Sequence, residues 1–239
     1  MNRITAYFLI CCGIFLFVSC DWEDPIEEQV FLVGKSESNV TQFEYSPSIH
    51  IVATQNHQIT QPLDIDNDGE ADVSIICKYA INSQYYHQKS VTLKVLNNQF
   101  SFSVKNMYDT VFQYVVGTST VYRKVFNCLT NTNIDHSLTS ILSTSTYFTP
   151  KMFEYGEGLS KNELWSSESS ILAFTEVANY TVGTEAVDHD LIKGLWKNQG
   201  EKYLVFKYTG GSKIRYGWIR LQITDYSDVT LYEQAFQLE

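Results

Sequence analysis

The sequence predicts an all-β protein, an antiparallel β-sandwich of roughly ten strands with one long Ser/Thr-rich loop. Three observations carry this expectation. From about residue 30 onward, apolar and polar residues alternate with a period of two, most cleanly in Val91-Thr92-Leu93-Lys94-Val95 and Phe100-Ser101-Phe102-Ser103-Val104. The alternating stretches are rich in Val, Ile, Thr, Tyr and Phe, the side chains that fit a pleated, half-buried surface. No stretch of about ten or more residues carries an apolar stripe at helical spacing. With 239 residues, 44% of them apolar, the chain can bury one sizeable core, which excludes a disordered or fibrous protein.

Taken from the N-terminus, residues 1–19 read as a signal peptide. Arg3 supplies a positive charge, and residues 6–18 form an uncharged, mostly apolar run. At about 13 residues that run is too short to cross ~30 Å of hydrocarbon as a helix and matches the core of a secretion signal. Small Ser19 then precedes Cys20, and Phe17-Val18-Ser19-Cys20 resembles the lipobox of bacterial lipoproteins, with Phe17 where that family usually has Leu. The resemblance implies cleavage before Cys20 and a lipid on its thiol; an ordinary cleaved signal peptide is the plainer alternative. Residues 20–28 then form a lipidated Cys and an acidic tether. Five carboxylates lie within residues 21–28 with no basic partner, a composition that stays solvated. The tether resembles the acidic export tag of some Gram-negative surface lipoproteins, with a plain charged linker as the alternative. The resemblances imply an outer-membrane lipoprotein, on the periplasmic or the cell-surface face, held to the membrane by its lipid anchor.

Residues 29–239 read as a single β-sandwich domain. Strands are expected at 29–33, 49–53, 73–79, 91–95, 100–104, 111–116, 120–126, 171–177, 203–208, 215–223 and 229–236. Asn97-Asn98 reads as a tight hairpin turn, and Gly210-Gly211 marks another. Residues 188–196 have the pattern of a short helical turn. Between residues 129 and 170 the alternation breaks down, and the Ser/Thr-rich run 137–146 marks the long loop. Once Cys11 and Cys12 are removed with the signal and Cys20 is acylated, Cys77 and Cys128 remain; they form one disulfide or two free core thiols.

One motif carries chemistry. Leu63-Asp64-Ile65-Asp66-Asn67-Asp68-Gly69-Glu70-Ala71-Asp72 fits DxDxDGxxD. A chain curling round a hard cation presents alternate oxygens inward at about 2.3–2.6 Å, the habit of Ca²⁺ loops. Asp64, Asp66 and Asp68 are expected to supply carboxylates, Glu70 its backbone carbonyl, and Asp72 a carboxylate directly or through water. Ile75 stands where an EF-hand needs a bidentate Glu, so the loop is not an EF-hand. It resembles the shorter calcium loops of integrin-type propeller repeats and dockerins, which implies Ca²⁺ as a structural cofactor. An acidic turn is the alternative, since Asn-Asp-Gly is good turn chemistry by itself.

The C-terminal run Tyr216-Gly217-Trp218-Ile219-Arg220-Leu221, together with the Asp-rich loop, is similar to a group of secreted bacterial proteins that pair such a loop with a late YGWIRL strand. That likeness implies no activity. Ile219, Leu221 and Ile223 face the core in the expected register, leaving Tyr216 and Trp218 either as a platform for a sugar ring or as rim aromatics packed against a neighbouring sheet. His50, His57, His87, His136 and His189 are scattered, and no HExxH, GxSxG or CxxC occurs. Asp188-His189-Asp190 reads as a solvated loop. Net charge −10 and a pI near 4.9 argue against a nucleic-acid partner. The chain reads as a binding or scaffolding module for a glycan or another envelope protein. The alternative is a polysaccharide-processing enzyme on the same fold, with Glu154, Glu157, Glu163 and Glu176 as acids open to such chemistry.

Overall fold

The computed structural model describes residues 31–36, 39–83, 86–116, 119–126, 139–182 and 185–238. The signal segment, Cys20, the acidic tether, Cys128 and His136 lie outside the described residues. The described chain is all-β and contains thirteen strands: β1 (Val40–Val52), β2 (His57–Leu63), β3 (Val73–Ser83), β4 (Tyr86–Val95), β5 (Phe100–Val116), β6 (Ser119–Phe126), β7 (Thr139–Pro150), β8 (Leu164–Ser166), β9 (Ser170–Val182), β10 (Glu185–Lys193), β11 (Lys202–Tyr208), β12 (Arg215–Asp225) and β13 (Asp228–Gln237). Two antiparallel sheets pack face to face. One runs β10-β9-β4-β3-β2; the other runs β1-β13-β12-β11-β5-β6, with β7 and β8 also paired to β5.

The alternating pattern explains how the sheets meet. Val73, Ile75 and Cys77 of β3 and Val91 and Leu93 of β4 point inward, against Phe100, Phe102, Leu204, Phe206, Ile219, Leu221, Ile223 and Leu231 of the larger sheet. The larger sheet is buried on its other face too. Tyr203, Val205, Trp218 and Ala235 pack there under Phe31, Val33, Phe153 and Leu159, which come from irregular segments. β11 therefore reads almost continuously apolar, as a strand covered on both sides does. Gly217 of β12 is required by this packing: a Cβ there falls 2.3 Å from the Phe206 ring and 2.3 Å from the Ala235 carbonyl oxygen.

Several expectations are corrected. Residues 139–146 of the Ser/Thr-rich run lie in β7, which pairs with β5 from Val104↔Pro150 to Tyr114↔Thr139. Their hydroxyl side chains lack the apolar alternation that flags a strand, yet ladder bonds use only the backbone. The expected strands 100–104 and 111–116 are one long strand, β5. The helical turn predicted over 188–196 is replaced by β10, paired with β9 through Lys193, and by the irregular segment that follows. Within the predicted strand 29–33, Leu32 makes only an isolated bridge to Gly158, while Phe31 and Val33 serve as plugs of the second core. Asn97-Asn98 joins strands of different sheets, so this turn is a crossover and not a hairpin. Gly210-Gly211 does sit between paired strands, β11 and β12.

Candidate metal site

The acidic motif forms the connection between β2 and β3, whose last ladder pair is Leu63↔Val73. Backbone conformation closes the loop: Asn67 and Gly69 both adopt positive φ, at 62° and 97°, and a Cβ at Gly69 meets open space. Positive φ is easy for Gly and tolerated by Asn, which explains the Asn-Asp-Gly centre. Asx-type bonds then fix the turn. Asp66 Oδ1 accepts from the Asp68 N–H at 3.3 Å, Asp68 Oδ1 from the Glu70 N–H at 2.8 Å, and Asp64 Oδ2 from the Gly69 N–H at 2.9 Å.

Asp72 organises the loop from below. It is 1% exposed, and its Oδ2 accepts from the Ile65 N–H at 2.8 Å and the Asp66 N–H at 3.4 Å. Its Oδ1 accepts from Asn97 Nδ2 at 2.9 Å, and its carbonyl accepts from the Leu96 and Asn97 N–H groups. From the opposite sheet, Gln234 Nε2 donates to the Asp64 carbonyl at 2.7 Å. Asn97 and Gln234 are the supports that sequence reading does not find, since neither belongs to the motif and both arrive by long-range packing.

Carboxylate oxygens of Asp64, Asp66 and Asp72, one from each, lie within 4.8 Å of one another, a group that could hold a metal ion. Burial raises the Asp66 carboxyl above its ordinary range; the charges of Asp72 and Asp68 push it the same way, the Asp68 N–H opposes, and Asp64 adds a further upward push. One atom fits a bound cation: Asp64 Oδ1 is sealed from solvent and has no hydrogen-bond partner. The donor set is all oxygen, which suits a hard cation. Of the four predicted carboxylates, Asp64, Asp66 and Asp72 come together, whereas Asp68 is exposed and stands outside the group; Glu70, expected to offer its backbone carbonyl, is exposed. Asp68 spends a carboxylate oxygen on the Glu70 N–H, so its role here is to hold the turn.

The other candidates resolve as packing or as ion pairs. Trp218 is fully buried, edge-on to Tyr203 with ring centroids 5.2 Å apart, so it cannot pair with Tyr216 as an exposed sugar platform. That face is covered by the second core, in keeping with the alternative of packed aromatics. Tyr216 packs instead against Phe31 and Trp165, at 6.0 and 5.9 Å. Cys77 is a free, buried thiol, its Sγ 3.9 Å from the Ile51 carbonyl, while the expected partner Cys128 lies outside the described residues. Glu154 pairs with Lys202, Glu157 and Glu163 with Lys151, and Glu176 accepts from Tyr86 Oη, so all four candidate acids are engaged. Asp188, His189 and Asp190 lie in β10 opposite Asn179, Ala178 and Val177, a strand and not the solvated loop expected. His50 bonds to Asp228 at 2.9 Å, while His57 bonds to the Gln55 carbonyl. No family model, no curated protein and no solved structure matches this chain.

Proposed function

We propose that the chain is a lipid-anchored protein of a Gram-negative cell envelope, held by Cys20 and an acidic tether, whose β-sandwich is a binding or scaffolding module with Ca²⁺ as its structural ion. The observation that carries the ion is the convergence of Asp64, Asp66 and Asp72 beside the orphaned Asp64 Oδ1. Charges this close repel at neutral pH, and a divalent cation converts that repulsion into cohesion. Residues 64–72 join two neighbouring strands of the smaller sheet and touch Gln234 of the larger one, so the cation acts as a clamp and supplies no chemistry. The anchor rests on the Ser19-Cys20 pair behind a short apolar run, and the tether on its uncompensated carboxylates.

A thermal melt with and without added Ca²⁺ tests the ion. Binding to the folded state alone stabilises it by RT ln(1 + [L]/Kd), about 2.7 kcal/mol at a hundredfold excess over Kd. The melting temperature of the purified protein should rise with Ca²⁺, and Asp66→Ala should lose most of that response while Asp228→Ala keeps it. A melting temperature indifferent to Ca²⁺, or a rise that survives in Asp66→Ala, removes the calcium clamp.

A further inference from the structure

The inner face of the smaller sheet runs on past the core. Along β4 the inward positions change from Leu93 and Val91 to Lys89 and His87, and along β9 from Ala173 to Thr175 and Val177. Register places Tyr79, Lys89, Thr175 and Ile192 in one row across four strands, with His87 opposite Val177 in the next. The β12–β13 turn brings Tyr226 to one side, and Lys197 reaches over its ring at 4.1 Å. These residues line an open pocket of about 450 Å³, within the usual range of small-molecule sites.

The charge balance is specific. Lys89 lies 4.9 Å from the centre of the Tyr79 ring and is paired with Asp225. Among the described residues, Lys197 has no carboxylate at ion-pair distance and the pocket lining includes no Asp or Glu. Among the described side chains, two ammonium groups against Asp225 leave one net positive charge, in a chain of net charge −10. A monoanion neutralises that charge; a phosphate, near −2, overshoots beside Asp225, and a neutral sugar leaves Lys197 uncompensated. Val177 and Ile192 offer apolar surface beside the cation, while His87, Thr175 and the tyrosines offer polar atoms.

We propose that this pocket at the mouth of the sandwich binds a small organic monocarboxylate, its carboxylate against Lys197 and its carbon frame against Val177 and Ile192. This rests on the binding-module reading and names its ligand class, but it is independent of the metal clamp. Calorimetric titration of the purified protein with glucuronate, benzoate, glucose and inorganic phosphate tests it. Glucuronate, benzoate or both should bind saturably and more tightly than glucose and phosphate, and which of them binds tells a sugar acid from an aromatic one. Lys197→Gln should weaken binding about tenfold or more, Lys197→Arg should retain it, and the distant Lys213→Ala should leave it unchanged. Phosphate binding tighter than either carboxylate, glucose matching glucuronate, the absence of saturable binding, or full affinity in Lys197→Gln overturns the proposal. Each variant's calcium-dependent melt is read alongside, so failure of the pocket is distinguishable from failure of the clamp.

Discussion

Asp72 illustrates how much a single buried carboxylate can organise. It takes hydrogen bonds from two backbone N–H groups of the acidic loop and from the Asn97 amide, and all three donors lose their partner if it is truncated. Asp72→Ala should therefore lower the unfolding free energy by about 3 kcal/mol, read by urea denaturation in chelator so that metal binding does not contribute. Asp68→Ala, which removes an exposed turn bond, should lower it by less than about 1 kcal/mol in the same assay. At this scale the sequence was legible where the chemistry is local. The DxDxDGxxD spacing pointed to Asp64, Asp66 and Asp72, while Asp68 could not be told from them, because which carboxylates turn inward depends on backbone bonds made across the loop. Asn97 and Gln234 were illegible for the opposite reason: each comes from a segment remote from the motif and becomes a partner only when the sheets close.

At the level of elements, alternation found the strands whose inner face is apolar and missed those without an apolar repeat. β2 (HQITQPL) forms one edge of the smaller sheet and is mostly exposed, and β10 (EAVDHDLIK) forms the other, so neither carries the apolar repeat of a core strand. β7 is hidden by its hydroxyl side chains. The reverse error occurred at Phe31 and Val33, apolar residues that cover the sheet and are not part of a strand within it. Packing between elements gives a sharp test at β12. Gly217→Ala places a methyl group against the Phe206 ring and the Ala235 carbonyl, and with backbone on one side the clash cannot be relieved by a side-chain rotation alone. The variant should lose about 1–3 kcal/mol of stability, measured by chemical denaturation, with near-ultraviolet circular dichroism reporting disturbed aromatic packing.

Across the whole molecule, acid stability depends on carboxylates that pull in opposite directions. Burial alone disfavours the charged form of Asp225, but the Lys89 ammonium, the Tyr226 N–H and the charge of Lys197 outweigh it and hold the carboxyl below its usual value. The stabilisation from Asp225 is thus complete above the unfolded value, about pH 4, and drains away as pH falls through the lowered folded value. Asp66, whose carboxyl is raised by burial and by its acidic neighbours, has the opposite sign: its ionisation costs stability above the carboxylate range. Urea unfolding followed from about pH 6 down to about pH 2 should show a shallower acid limb in Asp225→Asn than in the parent protein. The free thiol of Cys77 has a consequence of another kind. Burial, with a smaller push from the charge of Asp228, lifts it to about 12, so the folded chain presents almost no thiolate. Under oxidising conditions that makes the sandwich its own antioxidant shield: the sulfur stays off the oxidation ladder while the sheets stay closed, and its reaction clock starts only when they part.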